Sequence, residues 1–398
     1  MRVIGSLQDR MRVMVVATAL IGAGCAPKPV TTPQPVARPP QLVPAPVSLT
    51  YNAGPAFALQ HTSNIVVDAG NADAAAIGEQ LAALLRAPTG YPVNVVSGPA
   101  TPGAIVLRLN SGNPTLGTEG YQLTVTADSV RVIANGPAGL FYGTQTIRQL
   151  LPVDIESEIG VDRNTWSIPA LAITDYPRFA WRGAMLDVAR HFFTPREVDQ
   201  YIDLLAMYKM NTLHLHLADD QGWRIQLTSR PRLTEVGSQT QVGGGPGGFY
   251  TQQEYRDIIR YAAARYITIV PEIEMPGHST AAIKAYPQFA CGCATCANST
   301  PSLDITNSNA SGVFCAARPE TREFLHDILT EVMDLFPGPY IHIGGDEVNF
   351  NNWQQHSLDQ QLMSDLGITS YQKYQSYFTQ QIADFVKGRG RTMIGWSE

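Results

Sequence analysis

Hydrophobic residues in the first half of the chain follow two different spacings. Short β-branched runs over 104–109 and 121–125 indicate strands, whereas apolar residues at helical spacing over 74–86 and 137–151 indicate helices. None of these segments carries a cluster of chemistry-bearing side chains. The pattern predicts a small α+β domain over residues 49–172.

The second half of the chain repeats a strand followed by an amphipathic helix. The strand-like runs are 183–188, 212–217, 267–270, 340–343 and 392–396. Two of the helices between them begin with Thr-x-x-Glu capping boxes, at Thr194 and Thr251. Serial units of this kind predict a parallel sheet, most simply a (β/α)8-type TIM barrel. The expected fold class is therefore α/β, with the α+β domain followed by a TIM barrel over 173–398 of which about five strands are present.

The first 48 residues have a different composition. Arg10 and Arg12 precede a short apolar run over 13–21, small residues and then Cys25. Such a run is too short to span a bilayer and is typical of a signal peptide, here residues 1–25 of the bacterial lipoprotein type, with cleavage but no lipid as the alternative. Eight prolines within residues 26–48 predict an extended linker. We therefore expect an exported lipoprotein of the outer membrane, periplasm or cell surface, tethered through a lipidated Cys25.

The balance of charged residues bears on the class of binding partner. The chain has 28 Lys and Arg residues against 34 Asp and Glu residues and no basic run, which argues against a nucleic-acid partner.

Four further cysteines lie close together, namely Cys291, Cys293, Cys296 and Cys315. In an oxidising compartment this even set predicts two disulfides with three possible pairings. A zinc site is the alternative, although the segment lacks paired Cys-x-x-Cys units.

Polar side chains follow every predicted barrel strand. They are Asp187 to His191, Asp219-Asp220, Glu272 to His278, Asp346-Glu347 and Glu398. Because the carboxyl ends of barrel strands share one face, these groups predict an active-site rim. The adjacent carboxylates Asp346 and Glu347 follow two glycines, and an environment that separates their pKa values can leave one as an acid and the other as a base.

Four strings in this half resemble the β-N-acetylhexosaminidases of glycoside hydrolase family 20. They are Arg-Gly-Ala-Met-Leu-Asp-Val-Ala-Arg-His at 182–191, His-Leu-His-Leu-Ala-Asp-Asp-Gln-Gly-Trp-Arg at 214–224, Pro-Glu-Ile-Glu-Met-Pro-Gly-His at 271–278 and Gly-Gly-Asp-Glu at 344–347. Residues 136–143 and 149–151 resemble the N-terminal domain of that family. The resemblance implies an exo-acting glycosidase that removes terminal β-linked N-acetylglucosamine or N-acetylgalactosamine with retention and needs no cofactor. It also implies that the 2-acetamido oxygen of the substrate is the nucleophile.

The resemblance assigns roles to the acid pair and its neighbours. Glu347 would act first as general acid and then as general base. Asp346 would accept the acetamido N–H and stabilise the oxazolinium intermediate. Arg190 would bind sugar hydroxyls through its planar guanidinium. Asp219 and His278 would form a polar relay to Glu347.

By the same resemblance, Trp396 would form one wall of an aromatic box around the acetamido methyl. Two acidic residues keep more than one interpretation. Asp187 either holds Arg190 or ends a strand, and Glu274 either positions His278 or touches sugar. Four further histidines are expected to pack in the interior rather than to take part in catalysis: His191, His214, His216 and His342.

Two other functions are weighed against the glycosidase. His214 and His216 with His278 and Asp346 suggest a metal-dependent amidohydrolase, but that chemistry needs its His-x-His at the end of the first strand. A non-catalytic glycan-binding lipoprotein on an incomplete barrel is the second alternative. Because five strands are expected rather than eight, we also expect the sequence to be a C-terminally incomplete part of a longer protein.

Overall fold

The computed structural model describes residues 41–110, 112–291 and 312–397. The predicted signal peptide, its Cys25, and Cys293 and Cys296 lie outside these residues. Within the described ranges, none of the helices has both the length and the apolar character that crossing a bilayer would require.

A mixed seven-stranded sheet with two helices against it forms the N-terminal domain. Its elements are β1 (Ser48–Tyr51), β2 (Phe57–Leu59), β3 (Ile65–Val67), α1 (Ala72–Thr89), β4 (Val95–Ser97), β5 (Ala104–Leu109), β6 (Tyr121–Val125), β7 (Ser129–Ala134), α2 (Pro137–Leu150), β8 (Trp166–Ile168) and β9 (Leu171–Asp175). The strand order is β1-β9-β6-β7-β5-β3-β4, and β2 pairs separately with β8. Local signals set α1, since Asn71 accepts the N–H of Ala74 at 2.9 Å and Gly90 ends the helix in the left-handed region.

Strands and helices alternate through the second domain. Its elements are β10 (Gly183–Asp187), α3 (Pro195–Met207), β11 (Thr212–His216), β12 (Ala218–Asp219), β13 (Gly222–Trp223), α4 (Arg232–Gly237), α5 (Gln252–Ala263), β14 (Thr268–Glu272), α6 (Thr280–Ala285), α7 (Pro319–Leu335), β15 (Tyr340–His342), α8 (Asn351–Gln354), α9 (Ser357–Asp365), α10 (Tyr371–Gly388) and β16 (Thr392–Ile394). Both predicted capping boxes, at Thr194 and Thr251, are present.

The five predicted barrel strands form one parallel sheet. Its order is β10-β11-β14-β15-β16, so strands that are consecutive barrel strands along the chain are also neighbours in space. Buried apolar residues of α3, α5 and α7 cover its outer side, among them Ile202, Ile258 and Ile328. The expected fold class is confirmed.

Two predicted domain boundaries are wrong. Residues 173–175, expected to open the barrel domain, belong to β9, which pairs with β1 and β6 in the N-terminal sheet. The end of the predicted linker also packs on this domain, because Leu42 is buried and the N–H of Val43 donates to Gln149 at 2.9 Å. Both domain boundaries are set by contacts between segments far apart in the chain, which local composition does not reveal.

Buried charges join the two domains. Lys209, just before β11, donates to Asp175 at 2.9 Å and to the Tyr121 hydroxyl at 2.8 Å. Arg182, just before β10, pairs with Glu119 at 3.0 Å. Lys209 is only 6% exposed, and burial lowers the pKa of its ammonium despite the neighbouring Asp175 carboxylate. These two ion pairs therefore hold the segments before the first two barrel strands against the N-terminal domain.

We expect Lys209→Met to lower the free energy of unfolding by about 3–5 kcal/mol, because Asp175 would stay buried without its cation. Urea unfolding followed by tryptophan fluorescence measures this change. Glu79→Gln is the matched control, since it breaks the exposed Arg86–Glu79 pair and should cost less than about 1 kcal/mol. Equal effects of the two substitutions would contradict the proposed role of the buried pair.

Candidate active site

A buried carboxylate lies at the centre of the barrel sheet. The register aligns Asp187, His216, Glu272 and His342 at the carboxyl ends of neighbouring strands. Ring nitrogens of His216, His214 and His342 lie 2.5, 2.9 and 2.8 Å from the Glu272 oxygens. Burial alone would raise the pKa of Glu272, but its contacts with the three histidines, among them hydrogen bonds with His214 and His216, hold it well below its usual value. Glu272 is therefore an anion, and it fixes three rings at one level of the sheet.

These contacts revise the predicted roles of the histidines. His216 and His342 are buried as expected, and the His214 side chain is 16% exposed. All three pack around an ionised carboxylate for which the sequence predicted no role. Burial would lower the pKa of His216, yet hydrogen bonds to Asp219 and Glu272 raise it to about 10. His216 is thus a cation at neutral pH. The expectation for His191 is wrong, because it lies exposed in the loop after β10.

Arg190 is held by two carboxylates. Asp187 accepts from the backbone N–H of Arg190 at 2.9 Å and from its guanidinium at 3.0 Å. The guanidinium also pairs with Asp219 at 2.9 Å and lies 3.1 Å from His216 Nε2. Asp187 therefore serves to orient Arg190. The Arg190 side chain remains 29% exposed, so part of its fork of N–H donors faces outward.

Asp219 and His278 lie side by side beneath the acid pair. Asp219 is buried, with His216 Nε2 at 2.8 Å and His278 Nδ1 at 3.5 Å. Asp220, which the sequence analysis did not assign, lies 3.4 Å from the same His278 nitrogen. Burial would lower the pKa of His278, but the Asp219 and Asp220 carboxylates raise it to about 11. A protonated imidazole therefore stands at the floor of the candidate site.

The other ring nitrogen of His278 lies near both members of the acid pair. Its Nε2 lies 3.5 Å from Glu347 Oε2 and 4.0 Å from Asp346 Oδ2. The Glu347 side chain is 59% exposed and reaches outward, whereas the Asp346 side chain is 27% exposed. The structure thus brings Asp219, His278 and Glu347 into one continuous chain of polar contacts.

Glu274 supports the turn that precedes the acid pair. Its carboxyl accepts the Gly345 N–H at 3.3 Å, and a Cβ added at Gly344 would lie 1.7 Å from its Oε2. Both glycines have positive φ, so this turn needs them for conformation as well as for space. Burial and the charge of Glu272 raise the pKa of Glu274 well above its usual value, so its carboxyl is neutral. Its buried position supports the turn rather than sugar contact.

Trp396 covers the three-histidine layer. Its ring centroid lies 4.8 Å from that of His342 and 5.7 Å from that of His214, and the residue is 43% exposed. A cavity of about 300 Å³ lies between Trp396, Met185 and Trp181 on the inner side of the sheet. The larger cavity, about 790 Å³, lies at the amino ends of the strands among apolar residues and does not include the acid pair. The acid pair and its titratable neighbours therefore lie at the carboxyl ends of the strands, away from this larger cavity.

The geometry opposes the metal-dependent alternative. Asp219, Asp220 and His278 lie close enough together to suggest a metal site, as do His278, Asp346 and Glu347. His278 Nδ1 already faces the Asp219 and Asp220 carboxylates at 3.5 and 3.4 Å, an arrangement that suits an imidazolium balancing their charge. His214 and His216 are engaged by Glu272 below the rim. The arrangement suits proton transfer and recognition of a polar substrate better than metal binding.

Sequence profiles of known families match both domains. The profile of the glycosyl hydrolase family 20 catalytic domain covers residues 179–398, and that of the family 20 domain 2 covers residues 39–176. A beta-hexosaminidase from Porphyromonas gingivalis is 40% identical over 363 residues, which are 90% of this chain and 45% of that protein. A beta-N-acetylhexosaminidase from Cellulomonas fimi is 39% identical over 363 residues, which are 90% of this chain and 66% of that protein.

A solved structure agrees with the sequence matches. The family 20 beta-N-acetylhexosaminidase from Streptomyces coelicolor superposes with a TM-score of 0.76 at 38% identity, over 89% of this chain and 66% of that one. Against the two sequence relatives and this structure, the chain spans 45% to 66% of the length of the other protein.

The raised pKa values of His216 and His278 predict that stability falls with increasing pH. Both imidazoles are charged in the folded protein up to about pH 10 and 11, whereas in the unfolded chain they titrate near 6.5. Their stabilising contribution is complete below about pH 6.5 and is lost as pH rises through the folded pKa. Each group can change the free energy of unfolding by up to about 1.4 kcal/mol per pH unit within that window.

Urea unfolding between pH 7 and pH 10 tests this expectation. His278→Asn should flatten the decline, because one of the two groups is gone. His326→Asn is the control, since burial lowers the pKa of His326 and it has no stabilising charge to lose above pH 7. An unchanged slope in His278→Asn would show that His278 is not protonated in the folded protein.

Proposed function

Because the chain belongs to glycosyl hydrolase family 20, we propose that the protein is an exo-acting β-N-acetylhexosaminidase. It removes terminal β-linked N-acetylglucosamine or N-acetylgalactosamine with retention, using the 2-acetamido oxygen of the substrate as nucleophile. The observation that carries the proposal is the difference in exposure of the two adjacent carboxylates, since the Glu347 side chain is 59% exposed and the Asp346 side chain is 27% exposed. Asp346 Oδ1 accepts no hydrogen bond from any described residue.

The two carboxylates have environments that suit different tasks. The Asp346 carboxylate, with its side chain 27% exposed, can receive the acetamido N–H, which turns the amide oxygen towards the anomeric carbon. As that oxygen attacks, positive charge develops on the acetamido group, and the Asp346 carboxylate stabilises it. Neither carboxylate needs to bond to the sugar. This explains how residues adjacent in sequence, on one side of the substrate, suffice for a retaining reaction.

Glu347 carries the proton in both halves of the reaction. In the first half it donates a proton to the leaving glycosidic oxygen, and in the second half it accepts one from the water that opens the oxazolinium. Its exposure places it where a leaving group departs. His278, 3.5 Å away and protonated, fixes Glu347 Oε2 and balances the negative charge of Asp346.

The surrounding residues select the sugar. Arg190, held by Asp187 and Asp219, offers outward N–H groups to hydroxyls at the closed end of the site. Trp396 presents an exposed ring face on which an acetamido methyl can pack. Chitooligosaccharides carry the terminal group that this arrangement recognises, and we propose them as substrates.

We expect Glu347→Gln to lower kcat by about 10²–10⁴-fold, with a larger loss on chitobiose than on a 4-nitrophenyl glycoside, because an activated leaving group needs less protonation. Asp346→Asn should lower kcat on both substrates to a similar degree, because it acts on the acetamido group rather than on the leaving group. Steady-state kinetics of the full-length protein on both substrates measures this difference.

Glu320→Gln on α7 is the control for a carboxylate lost outside the site and should leave kcat unchanged. Near-normal hydrolysis by Glu347→Gln or Asp346→Asn would contradict the role given to that residue. Binding of N-acetylglucosamine oligomers without hydrolysis by the unaltered protein would instead indicate a glycan-binding function.

We also propose that the protein is exported and held at a membrane by lipid on Cys25, with the proline-rich residues that follow acting as a spacer. Cys25→Ala should move the protein from the membrane fraction to the soluble fraction of lysed cells. Fractionation followed by immunoblotting measures this, with Cys293→Ala as the control that keeps membrane association. Unchanged membrane association of Cys25→Ala would contradict the tether.

A further inference from the structure

A second group of chemistry-bearing side chains lies away from the acid pair. We name it the thiol cluster; it consists of Cys291, Cys315, His356 and Asp359. Cys291 and Cys315 flank the long connection between β14 and α7, whereas His356 and Asp359 lie at the start of α9, after β15. The cluster therefore joins the two connections on either side of the strand that leads to Asp346 and Glu347.

The donor atoms of the thiol cluster converge on one point. Asp359 Oδ2 lies 2.7 Å from Cys291 Sγ and 2.6 Å from His356 Nδ1, and Cys315 Sγ lies 3.8 Å from His356 Nε2. One ligand atom from each of the four residues lies within 4.8 Å of the others. A tetrahedron with metal–ligand bonds of about 2.0–2.3 Å has edges of roughly 3.3–3.8 Å. Small side-chain adjustments would therefore make room for an ion.

The carboxylate of this cluster is held by four hydrogen bonds, from His356, Cys291, Ala317 and Tyr374. Asp359 and both cysteines are fully buried. Within the described parts of the chain, the ion-pair partner of Asp359 is His356, and no Lys or Arg pairs with it. A buried carboxylate is costly unless a cation or several hydrogen bonds compensate it. A divalent cation would take the place of the protons that His356 and Cys291 direct at Asp359 Oδ2, and it would also stabilise the thiolate forms of the two cysteines.

The ligand types identify the cation. Two thiolates, one imidazole and one carboxylate are ligands that zinc accepts in closed tetrahedral sites, and soft sulfur ligands select against magnesium and calcium. The second oxygen of Asp359 accepts from the Ala317 N–H at 2.9 Å and from the Tyr374 hydroxyl at 2.6 Å. Such outer contacts orient a ligating carboxylate. We propose that the thiol cluster binds one zinc ion through Cys291, Cys315, His356 and Asp359.

A disulfide between Cys291 and Cys315 is the competing occupant. Both cysteines are free in the structure. A disulfide would satisfy the two sulfur atoms but would bring no positive charge to Asp359 and would not use His356. Zinc binding uses all four side chains and releases two thiol protons to solvent. The zinc site would brace the rim beside the acid pair without taking part in hydrolysis, so it is independent of the proposed function.

Metal analysis of the full-length protein tests the zinc site. After incubation with Zn²⁺ and desalting, inductively coupled plasma mass spectrometry should find about one zinc per chain. His356→Gln and Asp359→Asn should each reduce the bound zinc at least tenfold, whereas Asp365→Asn, an exposed carboxylate on the same helix, should retain it. A Cys293→Ser/Cys296→Ser double variant should also retain it, which separates the thiol cluster from the other two cysteines.

Two further measurements make the test independent of how well a variant folds. Co²⁺ in place of Zn²⁺ should give a thiolate-to-metal charge-transfer band in the unaltered protein. Added Zn²⁺ should raise the thermal unfolding temperature of the unaltered protein but not that of His356→Gln. A zinc-free protein with a Cys291–Cys315 peptide two hydrogens lighter than its reduced form would overturn the proposal in favour of a disulfide. Zinc content unaffected by His356→Gln and Asp359→Asn, or no bound metal with two free thiols, would also overturn it.

Discussion

The contact between Glu272 and three histidines is the interaction on which the candidate active site depends. Glu272 lies on the central strand of the five-stranded sheet, and its histidine partners come from the strands on either side. Through His216 the same group reaches Asp219 and Arg190, and through His214 and His342 it supports Trp396. A carboxylate buried this deeply requires positive charge. The charge that it draws onto His216 is what fixes the polar groups above it.

Above this layer, backbone conformation positions two side chains of the candidate site. His278 and Glu347 both have φ near +47°, a region that non-glycine residues seldom adopt. They lie on two different loops and meet at 3.5 Å. The Glu274 carboxyl accepts the N–H of Gly345 and so holds the loop that carries Glu347. A neutral buried carboxyl thus helps to stabilise the unusual backbone conformation of that loop. The site is thus built from a rigid charged floor and two constrained loops.

Local signals in the sequence predicted much of this architecture. The barrel strands and both capping boxes depend on spacing within a few residues, so periodicity was sufficient to find them. The limit of β9 was missed because it is set by pairing with β1 and β6, far away in the chain. Likewise, Glu272 and Asp220 look no different from other acidic residues at strand ends until the sheet aligns their neighbours.

The family resemblance brought the acid pair and its relay to attention, but it did not reveal their support. No spacing rule links Cys291 to Asp359, 68 residues later, because the fold alone brings α9 against the connection after β14. The exposure of His191 also depends on how one loop leaves the sheet. Contacts between distant segments are the part of a site that periodicity and local motifs leave undetermined.

The buried pair between Lys209 and Asp175 bears on how the chain folds during translation. The ribosome makes the N-terminal domain first, so Tyr121 and Asp175 can form a preorganised acceptor before Lys209 emerges. Parallel strands pair slowly because their partners are distant in sequence. The buried pair gives the segment between the first two of them a charged partner in a domain that precedes it in the chain. A single lysine thus links the order in which the two domains are made to the place where the second begins to pack on the first.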